Sequence, residues 1–357
     1  MRKLAIVLLL LILAAAGAAG AIYLRVRQPY AGYPGTEQFV EIPAGSGTRV
    51  IGDRLVAAGV VRDALTFRAA LLMSGQARVL KAGEYRFDRP MTALEALGKL
   101  ARGEVYVINL TIPEGLTVRE VAALAESHGV GTGAEFIDAA NDASLIRKLD
   151  PSARNLEGFL FPDTYPVTRR TDSLRLIHLM VTRFEHILTP EMRGAIEQRG
   201  LSIHQTVTLA SIVEKEAART DERPMVAAVY LNRFRLGIPL QCDPTVIYAL
   251  QLAGKYDGNL RRDDLMFDSP YNTYRYAGLP PGPIASPGKA ALDATIHPAD
   301  VDYLYFVSRN DGSHAFARTL DEHNRNVQKY QVQYFRDKRA AEAGGAGKAG
   351  GESRPGR

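Results

Sequence analysis

The first part of the chain contains an uncharged apolar run that is long enough to cross a lipid bilayer. Residues 4–24 carry no charged side chain. About 20 apolar residues in a helix span the hydrocarbon core of a membrane, because each residue adds about 1.5 Å to the helix. The run therefore predicts one membrane-spanning helix, and no second run of this length follows it.

The residues around this run bear on its orientation and on its retention. Two basic residues precede it and two follow it, so the charge imbalance is slight, but so short an N-terminal tail favours a cytoplasmic N-terminus. A cleaved signal peptide is the alternative, because residues 14–21 are rich in small side chains, although the apolar region of a signal peptide is usually shorter. We expect a retained anchor over residues 1–28, with nearly all of the chain outside the cytoplasm of a bacterial cell.

The segment after the anchor alternates short strands with helices. Residues 40–45 and 110–115 each predict a strand and a turn containing Pro and Gly, and each leads through a capping Thr, Thr48 or Thr117, into a helix. A further strand at 83–87 precedes a helix that opens at Ala93. This alternation is typical of an α+β fold. It predicts a small α+β module over residues 29–108, which either binds a ligand or serves as a spacer.

Residues 109–335 predict a larger domain of mixed helices and strands. Ser202 and His204 precede a predicted helix that ends near Ala218, and two prolines exclude a helix through residues 156–166. The clearest strand is 303–307, with a hairpin return at 312–316. Residues 336–357, which are rich in Ala, Gly and Lys, predict a disordered tail because they cannot bury a core.

Composition and motifs exclude most catalytic classes. The single cysteine, Cys242, excludes an intramolecular disulfide and a Cys-based zinc site. The spacing of known metal motifs is absent from the three clustered histidines, His297, His314 and His323, and we interpret His314 as a structural residue. The sequence contains no serine-nucleophile motif and no phosphate-binding loop. The net charge of +5 suits anionic lipid or an anionic polymer, but no nucleic-acid-binding patch stands out, so we expect no nucleic-acid partner, metal or cofactor. What remains is carboxylate chemistry in a cleft of Tyr, Asn and Gln side chains, which is typical of a glycan site.

The helix around residues 209–217 carries the strongest candidate for that chemistry. Its apolar stripe has the helical spacing i, i+3, i+4, i+7 and i+8 at Leu209, Ile212, Val213, Glu216 and Ala217. Glu216 therefore lies on the buried stripe, whereas Glu214 lies roughly 200° around the helix and shares the polar side with Lys215. Burial without a cationic partner raises the pKa of a carboxyl group, here to about 6–7, and predicts a general acid. The alternative is an inert, hydrogen-bonded Glu at the edge of the stripe.

Hydrolysis of a glycosidic bond generally needs a second carboxylate, as nucleophile or as the base that activates water. Glu157, Asp163 and Asp243 are the candidates for this second group. A reaction in which the sugar supplies its own nucleophile needs only one carboxylate. The residues alone leave both routes open.

Several motifs resemble the endolytic murein transglycosylases, the MltG or YceG-like family. They are Ala-Ser-Ile-Val-Glu-Lys-Glu at 210–216, Leu-Asn-Arg-Phe at 231–234, Leu-Gln-Cys-Asp-Pro-Thr-Val-Ile-Tyr at 240–248, Tyr-Asn-Thr-Tyr at 271–274, Gly-Leu-Pro-Pro-Gly-Pro-Ile at 278–284 and Tyr-Leu-Tyr-Phe-Val at 303–307. Residues 81–87 and 156–165 match as well, so the resemblance extends from the anchor to about Tyr330. The family often has Thr or Ser where this chain has Cys242, which places an oxidisable thiol near the cleft.

The resemblance implies an inner-membrane anchor, a LysM-like module beside it and a periplasmic catalytic domain that cuts peptidoglycan strands internally. The family's catalytic glutamate aligns with Glu216. By implication, Glu216 protonates the oxygen that links N-acetylmuramic acid to N-acetylglucosamine, then removes the proton of the muramic acid C6 hydroxyl, which closes a 1,6-anhydro ring without water or cofactor.

Further residues and partners follow from the same resemblance. The residues expected to hold the glycan are Gln241, Asp243, Tyr271, Asn272 and Tyr274. For them the alternative is that Asp243 and Asn272 only form turns and that the tyrosines pack under a loop. The expected partners are peptidoglycan strands, the bilayer and, as protein candidates, peptidoglycan synthases. Two other functions stay open, a hydrolytic muramidase and a non-catalytic protein that binds the wall or tethers a synthase.

Overall fold

The structure is a computed structural model that describes residues 2–339. The chain divides into two compact units, Met1–Ile108 and Asn109–Arg357. The elements of the first are α1 (Arg2–Arg27), β1 (Gln38–Ile42), α2 (Thr48–Ala57), α3 (Ala64–Ser74), β2 (Gly83–Phe87) and α4 (Ala93–Arg102). Mixed helices and short strands thus confirm the α+β class.

Helix α1 contains the predicted apolar run. It is 26 residues long, its most apolar window has a mean hydropathy of 2.7, and none of that window is buried. Among residues 2–339 it is the one helix long and apolar enough to cross a membrane. Its C-terminal end is tied to the rest of the first unit, because Val26 is buried in the core and Arg25 pairs with Asp63 at 3.4 Å.

The core of the first unit forms around the antiparallel pair of β1 and β2, in which Val40 lies opposite Tyr85. Alternate residues of both strands face inward, as the strand period of two requires, and pack on α2, α3 and α4. Helix α4 begins with a capping box between Thr92 and Glu95. The prediction that Thr48 caps α2 is wrong, because extended Gly47 occupies the cap position and Thr48 is the first helical residue.

The second unit is mainly helical. Its elements are β3 (Ile108–Thr111), α5 (Val118–Ser127), α6 (Gly133–Ala140), β4 (Thr164–Val167), α7 (Ser173–Ile187), α8 (Pro190–Gln198), α9 (Ile203–Glu216), α10 (Arg223–Arg235), α11 (Asp243–Leu252), α12 (Lys289–Ile296), β5 (Tyr305–Ser308), β6 (His314–Ala317) and α13 (Leu320–Val327). Strands β3 and β4 pair with each other, and β5 and β6 form the predicted antiparallel hairpin. Thr117 caps α5 in a capping box with Glu120, as predicted.

Helix α9 lies at the centre of this unit. Residues 206–213 are all buried, and the helix packs against α8, α10, α11 and α12. It begins one residue after its cap, Ser202, so His204 lies inside it, and it ends at Glu216 instead of near Ala218 as predicted. This position places Glu216 at the last turn of a rigid, buried helix.

The ends of the second unit differ in part from the predictions. Residues 156–163 form no regular helix, as the two prolines predict, and Pro166 lies within β4. In the tail predicted to be disordered, residues 336–339 are helical and continue 334–335. The remaining tail residues, 340–357, lie outside the described part of the chain.

Candidate active site

Glu216 is the last residue of α9, and this position favours its protonated form. The C-terminal end of a helix carries partial negative charge, which disfavours a carboxylate there. Burial raises the pKa of Glu216, and the nearby charge of Asp243 adds to the rise. The side chain is half-buried and faces a cleft. The predicted direction of the pKa shift is thus confirmed.

Two hydrogen-bond donors hold the Glu216 carboxyl group. The Cys242 thiol donates to its Oε1 atom at 3.2 Å, and the Tyr230 hydroxyl is the second donor. Both bonds lower the pKa of Glu216 and so partly oppose the effect of burial. The carboxyl group therefore has a fixed orientation and can carry either a proton or a charge.

The prediction that Glu214 lies on the solvated side of the helix with Lys215 is wrong. Its side chain is 6% exposed, accepts a hydrogen bond from Arg223 Nη2 at 2.6 Å and accepts another from the Gly288 backbone N–H at 3.0 Å. The reason is that α10 and the segment before α12 cover the side of α9 that the helical pattern assigns to solvent. Burial raises the pKa of Glu214 in spite of these bonds. Glu214 is a structural residue that joins α9 to α10.

This ion pair gives a prediction on stability. Glu214→Gln is expected to lower the free energy of unfolding by about 2 kcal/mol, because Arg223 cannot lose its proton and stays buried. Among residues 2–339 the one other carboxylate that pairs with it is Glu114, at 3.6 Å. Arg223→Met is expected to lower the free energy of unfolding by a smaller amount, since an unpaired Glu214 can take up a proton. Thermal unfolding of both variants measures the difference. A Glu214→Gln protein as stable as the wild type would contradict the role of the pair.

The cleft in front of Glu216 has a volume of about 440 Å³. Its walls are formed by the end of α9, by α10, β5 and α13, and by the loops around residues 240–243 and 274. The lining side chains are Glu216, Tyr230, Arg233, Leu240, Gln241, Asp243, Tyr274, Tyr305, Phe306, Leu320, His323 and Asn324. Three of the five predicted glycan-binding residues, Gln241, Asp243 and Tyr274, thus lie in the same cleft as Glu216.

The other two predicted residues lie outside the lining of this cleft. Asn272 is fully buried, and its side-chain amide donates to the carbonyl oxygens of Leu265 and Phe267. Its Oδ1 atom accepts from the Tyr274 backbone N–H. Tyr271 packs against the ring of Tyr248 at 5.0 Å. Asn272 thus holds the turn next to Tyr274, and Tyr271 packs against a neighbouring ring. These are the structural roles named above as the alternative to glycan binding.

Asp243 is the one candidate second carboxylate that lies in the cleft. It is the first residue of α11, where the helix dipole stabilises negative charge, and its Oδ1 atom accepts from the Tyr274 hydroxyl at 2.6 Å. Glu157 is buried elsewhere and accepts from the Val118 N–H and the Tyr248 hydroxyl. Asp163 pairs with Arg183 at 2.6 Å. The cleft therefore combines Glu216, whose pKa is raised, with an Asp at the N-terminal end of a helix.

Sequence reasoning assigned no role to several cleft residues. Arg233 belongs to the Leu-Asn-Arg-Phe motif, which supplied the only signal for it. Tyr230 reads as a core residue of an apolar helix, and Asn324 stands in a polar helix. His314, in contrast, fits its structural assignment, because its ring pairs with Glu222 at 2.7 Å.

Comparison with known proteins gives a consistent match over most of the chain. The profile of the YceG-like family matches residues 40–329. A Bacillus subtilis protein named endolytic murein transglycosylase is 33% identical over 306 residues, which cover 82% of this chain and 84% of that protein. A Streptococcus pneumoniae protein of the same name is 33% identical over 318 residues, which cover 81% of this chain and 57% of that protein.

A solved structure supports the same relationship. The crystal structure of a yceG-like protein from Listeria monocytogenes aligns with a TM-score of 0.55 at 33% sequence identity. The alignment covers 81% of this chain and 98% of the Listeria chain. Sequence and fold therefore agree over both described units.

Proposed function

The chain belongs to the YceG-like family, and from this premise we propose that this murein transglycosylase cuts peptidoglycan strands internally at the bond from N-acetylmuramic acid to N-acetylglucosamine. The cut leaves a 1,6-anhydro-muramic acid end and consumes no water. The observation that carries the proposal is the position of Glu216, which stands in a polar cleft with a raised pKa at the end of a rigid helix.

The first step transfers the proton of Glu216 to the glycosidic oxygen. The bond between that oxygen and C1 of muramic acid then breaks, and positive charge develops on the sugar ring. The Asp243 carboxylate, at the start of α11, lies in the same cleft and favours this charge. The donors Cys242 and Tyr230 stabilise the newly charged Glu216 carboxylate.

In the second step the Glu216 carboxylate removes the proton of the muramic acid C6 hydroxyl, whose oxygen attacks C1. The carboxyl group regains its proton, so the enzyme returns to its starting state. A single group can act first as acid and then as base because its pKa is raised by burial and restrained by two donors.

A hydrolytic muramidase is the second candidate, and the presence of Asp243 in the cleft favours it. Asp243 would then activate a water molecule. Its Tyr274 hydrogen bond and its place at the helix start equally suit a purely electrostatic role. The chemical form of the new end separates the two reactions.

We further propose that α1 anchors the protein in the inner membrane with its N-terminus in the cytoplasm and the rest in the periplasm. The length and exposed apolar surface of α1 support the anchor. The strand-helix-helix-strand order from β1 to β2 supports a separate LysM-like, glycan-binding module beside it. Peptidoglycan synthases are the candidate protein partners, and termination of new strands is the proposed role.

The full chain in detergent, incubated with isolated cell-wall sacculi, tests the proposed activity. Internal cutting predicts that soluble fragments of many lengths appear early, whereas cutting from ends releases disaccharide units throughout. A protein that sediments with sacculi and releases nothing would instead be the non-catalytic wall-binding protein.

The pH dependence of cleavage gives a further prediction. The value of kcat/KM is expected to fall above the pKa of Glu216, because the first step needs its proton. Cys242→Ala removes a donor to the charged form, so it is expected to raise the pKa of Glu216 and move the fall to higher pH. Cys242→Ser replaces the weak thiol donor with a stronger hydroxyl donor, so it is expected to lower the pKa of Glu216 and move the fall to lower pH. Identical profiles for all three proteins would contradict the role of Cys242.

A further inference from the structure

Arg233 is a buried cation in the cleft that pairs with no carboxylate among residues 2–339. Arg233 is 8% exposed. Its Nη2 atom donates a hydrogen bond to Gln241 Oε1 at 2.6 Å, and its Nη1 atom donates one to the Leu304 carbonyl oxygen at 3.4 Å. Its Nε atom is buried without a hydrogen-bond partner. Arg223, equally buried on the same helix, pairs with Glu214 at 2.6 Å. An unpaired buried charge is costly, so Arg233 indicates a missing anion.

The rings that line this wall of the cleft beside Arg233 belong to side chains that are not carboxylates. The Tyr305 ring lies 5.5 Å from the guanidinium carbon, and His323 stacks on Tyr305 with ring centroids 5.2 Å apart. Burial and the Arg233 charge lower the pKa of His323 and so favour its neutral ring. The two acids elsewhere in the lining have other partners: Glu216 accepts a hydrogen bond from Cys242, and Asp243 accepts one from Tyr274.

Gln241 adds a second donor beside Arg233. Its backbone has φ 53°, a left-handed conformation that is strained for a non-glycine residue. The hydrogen bond from Arg233 occupies its Oε1 atom. Gln241 is exposed and lines the cleft, so its amide N–H group remains as a donor for a ligand there.

We propose that Arg233 and Gln241 bind a carboxylate carried by the muramic acid residue of the strand, an inference that rests on the proposed function. Muramic acid differs from glucosamine by its lactyl group, which ends in a free carboxylate on a bare strand or carries the acidic stem peptide. A cation and an amide donor match either carboxylate. Binding it sets the muramic acid, and not the glucosamine, on the side of Glu216 where C1 reacts. Arg233 is thus a specificity-determining residue for the bond that is cut.

The test compares substrates and variants of the full chain in detergent. The substrates are strands with stem peptides, bare strands with free lactyl carboxylates, and bare strands in which those carboxylates are converted to amides. Wild-type kcat/KM is expected to be about 10–100-fold higher for acid-bearing than for amidated strands. Arg233→Met is expected to lose that preference, and Arg233→Lys to recover part of it.

The outcomes separate the possibilities. A preference for bare acid strands over amidated strands identifies the lactyl carboxylate, and a preference confined to peptide-bearing strands identifies the stem peptide. Equal wild-type cleavage of all three substrates overturns this inference and leaves the proposed function standing, whereas no cleavage of any substrate overturns the function. An equal loss on all substrates in Arg233→Met shows a structural role only. If that variant fails to fold, the wild-type comparison still decides.

Discussion

Glu216→Gln is expected to lower the rate of strand cleavage by about 10²–10⁴-fold or more. Glutamine has nearly the same shape and its Oε1 atom can still accept a hydrogen bond from Cys242, but it has no acidic proton for the glycosidic oxygen. Release of soluble fragments from sacculi, followed by chromatography, measures the loss. Thermal unfolding should be unchanged, because the variant removes a buried acid without creating a cavity.

The matched control for this variant is Glu214→Gln, two residues earlier on the same helix. It is expected to lose stability through Arg223 while the folded fraction keeps its activity. The two substitutions therefore separate chemistry from folding. Wild-type cleavage by Glu216→Gln protein would rule out Glu216 as the acid.

Glu157 is expected to make the protein less stable as the pH rises from about 4.5 to about 7. Burial raises the pKa of Glu157 to about 7 from its ordinary 4.5, against the opposing hydrogen bonds from Val118 and Tyr248. Between these values the folded protein keeps a proton that the unfolded chain has lost, so unfolding becomes easier with rising pH. The full change is on the order of 3 kcal/mol and is complete above the folded pKa.

Glu157→Gln isolates this contribution, because glutamine is neutral at every pH. Denaturant unfolding of the wild type and the variant between about pH 4 and pH 8, on both sides of the expected change, measures the difference. As the pH rises, the free energy of unfolding of the variant should increase relative to that of the wild type. Parallel curves would show that Glu157 titrates normally. Because Glu157 lies outside the cleft lining, the pH profile of kcat/KM should retain the fall caused by Glu216.

Local patterns in the sequence predicted the features that depend on neighbouring residues. The apolar run predicted α1, the Thr after the Pro-Gly turn predicted the cap of α5, and the stripe on α9 placed Glu216 on a shielded side. Each depends on residues a few positions apart. Thr48 failed as a cap because extended Gly47 precedes it and needs no side-chain bond to start α2.

Contacts between distant segments explain the errors. Glu214 looks solvated on its own helix, and only Arg223 and Gly288 bury it. Asn272 looks like a ligand-binding amide, but it holds the carbonyl groups of the turn before it. The wall formed by Arg233 and His323 joins α10 to α13, and no spacing within either helix predicts their meeting.

In the proposed reaction the sugar, and not water, completes the cleavage that Glu216 begins. Mass spectrometry of fragments formed in ¹⁸O-labelled water distinguishes the two nucleophiles. We expect new muramic acid ends that are one water lighter than the reducing form and contain no label. Reducing ends that carry ¹⁸O would contradict this expectation and identify a muramidase in which Asp243 activates water.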